Sequence, residues 1–344
     1  MQLRHLFGAA AGLFLAATAS QVHAQTVTTV VSNGPSGELY DMVILGDGYR
    51  ASEQARFNQD VADIVAYFQN QGSVYPYVDY FQCYNVHSVF RASIESGADD
   101  PCANPPVTRN TVYDAEYCWG GIQRCLYIRN TAQAATDAAL APDTDGRVIV
   151  LVNDSQYGGC ASTYAVSYNG TDMEEVNCHE WGHSFGLLAD EYDYGRSGPY
   201  VGGEPGDINC TASTTGNAKW PLWVGSAGQY GTVGAYPGAC YYPPTPLPTL
   251  YRPEPDCEMR NLSRRFCTIC REQMIKRFHA EVDMLDNPFR SPGGSVAQHS
   301  VVQFGFVNRI ANRPHSIQWR IDGGSFFGGT TSFFWNVGAS TVGN

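Results

Sequence analysis

Positive charge is scarce in this sequence. Lysine and arginine together number 21 against 33 aspartates and glutamates, a formal net charge of −12 over 344 residues. No run of basic residues gathers anywhere along the chain. A phosphate backbone or an anionic lipid surface is held by such a patch, so neither a nucleic-acid partner nor binding to an anionic membrane is expected. Long apolar runs are missing too. Beyond the first 24 residues nothing approaches the ~20 apolar residues of a bilayer-spanning helix, and no membrane insertion is expected. No internal repeat is visible. The turn Gly46-Asp47-Gly48 lacks the helix-opening glycine of a dinucleotide fingerprint, so Asp47 is expected to cap a turn or helix.

What is there begins with an export signal over residues 1–24. Arg4 and His5 precede an apolar stretch from Leu6 to about Ala19, and Val22-His23-Ala24 closes it with a small-residue cleavage site. Cleavage after Ala24 implies a secreted protein, extracellular or periplasmic. All 11 cysteines follow that point, as an oxidising compartment would favour, and the odd count leaves at least one unpaired. Little separates Ala24 from the first strand, so no bulky propeptide is expected.

Along the chain, TVTTVV and Asp41 to Leu45 read as strands, and Ser52 is placed to cap a helix through FNQDVADIVAYFQNQ. Residues 81–90 alternate as a further strand, residues 131–140 are alanine-rich and helical, and Arg147 to Asn153 is a buried strand. Ala161 to Tyr168 reads as an exposed edge strand, able to pair with an extended peptide. Thr171 or Asp172 then caps another helix. From Gly195 to about Asp256 glycine, proline and aromatics dominate without helical period, the mark of a functional loop region held down by Cys210, Cys240 and Cys257. Arg271 to Leu285 is an amphipathic helix. The alternation in VAQHSVVQFGFVN and HSIQWRIDGGSFF predicts strands of a small all-β, sandwich-like domain over residues 286–344, expected to be incomplete at its end. Strands and helices alternating through residues 25–285 predict an α/β or α+β layered domain with a mixed sheet.

The chemistry concentrates at His179-Glu180-Trp181-Gly182-His183. Residues four apart on a helix share a face, so two imidazoles can grip one ion. A glutamate beside the first can take a proton from a polarised water, which is the metallopeptidase arrangement H-E-x-x-H. Cys178 lies about 100° around the helix from His179 and is expected as a buried thiol or in a disulfide. The third ligand is less direct. Continued as helix, the chain would carry Asp190 about 10 Å beyond His183, too far for a zinc–oxygen bond of about 2.0–2.2 Å. The chain must therefore reverse, with Gly186 the expected place. Six residues after His183, where many such sites put a third histidine, stands Ala189. Asp190 is the preferred ligand and Glu191 its alternative.

HEWGHSFGLLADEY, the upstream MVILGDGYRASEQARF, IVLVNDSQYGGCAS and the downstream CEMR…RFCTICRE together resemble the IgA peptidase M64 family, from about Asp41 to about Phe278. The resemblance implies a zincin-like catalytic domain with an accessory β domain. It also implies Zn²⁺ on His179 and His183, Glu180 as catalytic acid/base and Asp190 at the family's acidic position. Cleavage of immunoglobulin A does not follow for this chain.

Other positions carry weaker expectations. Met259 can form a hydrophobic floor beneath the metal or be an ordinary core residue. Tyr192 and Tyr194 can donate to an oxyanion or simply pack. Cys267-Thr268-Ile269-Cys270 lacks the second close pair that a zinc ribbon needs, and a structural disulfide is expected there. The leading expectation is a secreted, monomeric zinc endopeptidase acting on extracellular protein or peptide. Its rivals are a secreted glycan- or protein-binding adhesin with a structural metal, and a metal-dependent hydrolase of some other bond.

Overall fold

Runs of valine, isoleucine and tyrosine build the central sheet, and their alternation decides what each face receives. The computed structural model describes residues 25–70 and 75–283, with further strand segments at 285–286, 301–305, 307–308, 318–319, 327–328 and 332–336. Strands β1 (Thr26–Val31), β2 (Tyr40–Asp47) and β3 (Tyr84–Phe90) precede a two-residue hairpin, β4 (Ala115–Glu116) with β5 (Tyr127–Ile128). After these come β6 (Val148–Val152), β7 (Gly159–Ala161) and β8 (Tyr164–Tyr168). The six-stranded sheet runs β1-β3-β2-β6-β8-β7. Its four inner strands are parallel, and both edge strands, β1 and β7, are antiparallel to their neighbours. The mixed α+β class with a mixed sheet is thus the observed one.

Buried parallel strands are apolar on both faces. Met42 and Ile44 of β2 look to one side, with Ile149, Leu151 and Ala165. Against that side pack helix α1 (Gln54–Asn70), through Phe57, Val61, Ile64 and Phe68, and the later helices α3 (Met173–Ser184) and α4 (Thr268–Glu281). Val43, Leu45, Val150 and Val166 look to the other side, onto helix α2 (Thr131–Ala138) and the β4–β5 hairpin. Asp47, at the end of β2, is fully buried and accepts from Tyr113 N at 2.9 Å, Ala115 N at 3.0 Å and Thr111 Oγ1 at 2.8 Å. It ties a loop rather than capping a helix.

Several expectations are corrected. Ser52 does not cap α1; a 3-10 turn over Ala51–Glu53 comes first, and Glu53 Oε2 reaches back to Arg50 N at 2.8 Å. The edge strand is β7, not the whole of Ala161 to Tyr168. The chain folds back at Ser162-Thr163, so β8 lies inside the sheet, buried along its length between β6 and β7. Helix α4 spans Thr268–Glu281 and so starts before Arg271, because Cys267 caps it by accepting from Cys270 N. The disulfides join Cys102 to Cys118, Cys125 to Cys160 and Cys210 to Cys240. Cys257, Cys267 and Cys270 are unpaired, buried thiols, which overturns both the disulfide expected at Cys267-Cys270 and the anchoring role given to Cys257.

From Gly195 to Asp256 the chain is irregular except for a two-residue strand pair, Tyr236–Pro237 with Tyr251–Arg252. Past α4, Val301–Gly305 pairs antiparallel with Ser332–Asn336, Leu285–Asp286 with Val307–Asn308, and Gln318–Trp319 with Phe327–Gly328. Most of residues 286–344, and the whole export signal, lie outside the described residues. No described helix is long and apolar enough to cross a membrane.

Candidate metal centre

Helix α3 (Met173–Ser184) carries the two histidines, and it is buried nearly all round. Asp172 stands at its N-cap without a side-chain cap hydrogen bond. Trp181 turns into the core against Phe185 and Tyr40. Burial of an indole of about 150–250 Å² contributes on the order of 4–6 kcal/mol by area, and this fixes the helix rotation. Cys178, fully buried with a free thiol, faces the same core. His179 and His183 are left on the opposite side, facing a cleft.

The helix stops where Leu187, at φ 54°, turns left-handed and its N–H bonds His183 O at 3.1 Å. This is a left-handed helix stop built on leucine, one residue past Gly186, near which the reversal is expected. Gly186 is needed for closeness instead: a Cβ there would lie 2.5 Å from Gly182 O. The returning segment is clamped by Asn209, which donates to Ala189 O and accepts from Ala189 N, both at 2.8 Å. Cys240 N also bonds Asp190 O at 3.0 Å. Asp190 is thereby swung back over α3.

Three atoms converge. Asp190 Oδ1 lies 3.0 Å from His179 Nε2 and 3.3 Å from His183 Nε2, and the two Nε2 atoms are 3.2 Å apart. Ligands about 2.0–2.1 Å from a tetrahedral ion sit about 3.3 Å from one another, so the spacing fits one zinc-sized cation. The donor chemistry agrees. His179 Nδ1 points at Glu258 O at 3.0 Å and His183 Nδ1 at Leu188 O at 2.7 Å. Each Nδ1 therefore carries its ring's proton, leaving two Nε2 lone pairs and a carboxylate oxygen turned on one point. Such a set calls for positive charge. Burial lowers the pKa of His183, but the charge and hydrogen bond of Asp190 outweigh this and push it up to about 9. Burial likewise opposes ionisation of Asp190, yet the two imidazoles hold its carboxyl well below the usual range.

Asp190 Oδ2 accepts from Tyr192 Oη at 2.8 Å and Tyr241 Oη at 2.5 Å. These phenols orient the carboxylate that is the third candidate ligand. The Tyr192 hydroxyl is thus spent on Asp190 rather than aimed at an oxyanion. Tyr194 stacks on Tyr192 at 4.5 Å, and Arg124 lies over both rings while donating to Tyr194 Oη at 3.1 Å. Met259 is fully buried against α3, where a Cβ in place of the hydrogen of Gly182 would lie 2.6 Å from its sulfur. Glu191 points away from the histidine pair, into the buried cysteines.

Glu180, only 6% exposed, lies between α3 and the edge strand β7, and no described residue hydrogen-bonds its carboxylate. Burial raises its pKa, against the pull of the two histidines. It shares with His179, His183 and Asp190 a cleft of about 170 Å³ lined also by Gly159, Cys160, Ala161, Tyr157 and Tyr241. That is room for several waters at about 30 Å³ each.

A family model described as IgA peptidase M64 matches residues 28–232. The chain belongs to the IgA peptidase M64 family. Membership makes this M64 protein a peptidase of a metal-dependent class, with protein or peptide as substrate. The matched span contains His179, Glu180, His183, Asp190, Tyr192 and Tyr194. It ends before Tyr241, Met259 and the CEMR…RFCTICRE segment that the resemblance had included. No curated protein is similar enough to this M64 chain to count as a match.

Sequence reasoning missed Tyr241, Gly159, Asn209 and the Glu258 carbonyl. Their roles come from pairings made in space. The nearest local signal is Cys240, whose bond to Cys210 and left-handed φ of 53° deliver Tyr241 to the site.

Proposed function

We propose that this M64 protein is an exported zinc endopeptidase that cuts extracellular proteins, with Glu180 as general base. The observation that supports this best is the shared cleft: three converging ligand atoms, a buried unpartnered carboxylate and a sheet edge all face one space. A structural zinc would take four protein ligands, whereas three residues converge here among the described ones, which weighs against an adhesin with a structural ion. Family membership weighs against hydrolysis of a non-peptide bond.

His179 Nε2, His183 Nε2 and Asp190 Oδ1 would hold the ion. Zinc, when bound, supplies Lewis-acid polarisation of the water and of the scissile carbonyl. Glu180 accepts a proton as the water oxygen bonds to the carbonyl carbon, and later passes it to the amide nitrogen as the C–N bond breaks. The products are a carboxylate and an amine. The edge strand supports substrate alignment. Gly159 N is bonded outward to Arg124 O at 3.1 Å, so Ala161, two residues on, has its backbone facing the same outer side. Cys125–Cys160 ties that edge to the Arg124 loop.

Replacing Glu180 by Gln tests the reading. Metal content should be unchanged, while peptide cleavage falls about 10²- to 10⁴-fold. Cleavage retained at the wild-type rate would end the general-base assignment.

A further inference from the structure

The unpaired thiols Cys257, Cys267 and Cys270 meet Glu191 in the core beside the catalytic cleft. One ligand atom from each lies within 4.8 Å of all the others, and all four residues are buried. Cys270 Sγ is 3.1 Å and Cys267 Sγ 3.7 Å from Glu191 Oε1. Tetrahedral zinc with Zn–S bonds of about 2.3 Å places neighbouring ligands about 3.7 Å apart. From this arrangement the geometry points to a second metal site, a structural Zn²⁺ held by Cys257, Cys267, Cys270 and Glu191.

Three observations carry it beyond four residues that happen to be close. Glu191 is completely buried and its Oε2 has no hydrogen-bond partner, a costly placement for a carboxylate unless a cation takes it. A disulfide between any two of the thiols would leave the third, and that carboxylate, unmatched. A metal uses all four. The site is also built to carry thiolates. Cys267 N points at Cys257 Sγ at 3.2 Å, Cys270 N at Cys267 Sγ at 3.5 Å, and both lie at the positive N-terminal end of α4. These dipoles offset the excess negative charge of three thiolates and a carboxylate around one dication.

The site has a structural consequence. Glu191 follows Asp190 directly, and Glu191 N bonds Met259 O at 2.7 Å. Pinning Glu191 to a metal anchors the reversed segment that turns Asp190 toward the histidines. None of this depends on the reaction at Glu180.

Metal analysis decides it without any activity. The His179→Ala/His183→Ala double variant removes the histidine site, and it should still hold one zinc per chain where the wild type holds two. A second readout covers poor folding of that variant. The histidine site offers no thiolate, so intense thiolate-to-cobalt charge-transfer absorption in the cobalt-loaded wild type reports the cysteine site. One zinc in the wild type with none in the double variant, no such absorption, or a non-reduced peptide map joining any two of the three cysteines, would each overturn the proposal.

Discussion

A single methyl group added at Gly159 tests how Glu180, the proposed general base, is held. Gly159 lies on β7 facing α3, and a Cβ built there falls 2.6 Å from Glu180 Oε1 and 2.8 Å from Val176 Cγ1. To regain an ordinary contact the carboxylate oxygen must retreat by about 0.8 Å. Its φ lies outside the left-handed range, so alanine imposes no backbone strain; the Glu180 carboxylate is the mobile end of a side chain, while the buried Val176 methyl must also give way by about 0.6 Å. Gly159→Ala should therefore fold and bind metal normally. A displacement near 1 Å of a catalytic group costs about 10²-fold, so kcat on a peptide substrate should fall by roughly that factor with KM little changed. The double variant with Glu180→Gln should be no slower than Glu180→Gln alone, because both changes act through one group. Gly203→Ala, where nothing lies within 4 Å of the new Cβ, is the control and should behave as wild type. The reasoning fails if Gly159→Ala keeps kcat within about threefold, or if its entire loss appears in KM.

Other outcomes follow from the same geometry. Tyr241→Phe removes the 2.5 Å hydrogen bond to Asp190 Oδ2 and should weaken metal affinity about 10- to 100-fold, read by chelator competition. Gly186→Ala drives a Cβ against Gly182 O, a backbone atom that cannot swing aside; a loss of about 1–3 kcal/mol in denaturant unfolding is expected, together with weaker metal binding. For Glu53, burial is the largest single influence and acts upward, but hydrogen bonds from Ser96 and Arg50 and the Arg50 charge together outweigh it and lower the pKa from 4.5 to about 2. Its folded-state pKa is depressed, so its stabilisation is fully present above pH 4.5 and is lost as pH falls toward about 2. The Tm difference between wild type and Glu53→Gln should accordingly shrink across that window, and a difference constant with pH would refute this.

Much of the site was legible because helical spacing is local. His179, Glu180 and His183 owe their common neighbourhood to one turn of α3, and the failure of a straight helix to deliver Asp190 followed from rise per residue alone. The strands of the sheet were legible for a similar reason, since β-branched apolar runs such as Val148–Val152 announce burial on both faces. Where the chain meets itself again, spacing has nothing to say. The stop came at Leu187 where the segment on either side is held from afar, Gly186 O by Gln273 of α4, Ala189 by Asn209 and Asp190 O by Cys240, and there a leucine takes the left-handed conformation that glycine would take more cheaply. The fold-back at Ser162-Thr163 moved Ala161 to Tyr168 from the edge to the interior, an outcome set by which strand pairs with β6.

The sequence by itself supplied the candidate ligand types, the candidate base, an acidic character that weighs against a nucleic-acid partner, and the mixed layering of strand and helix. Tertiary structure alone decided that Asp190 faces the histidines while Glu191 faces three thiols. Neighbouring residues in an extended segment project to opposite sides, so one chain reversal delivers two adjacent carboxylates to two different clusters. Which carboxylate meets which cluster depends on what Asn209, Cys240 and Met259 hold in place, from 18 residues away (Asn209 to Glu191) to 68 (Met259 to Glu191). That is a relation between distant segments, and no local pattern carries it.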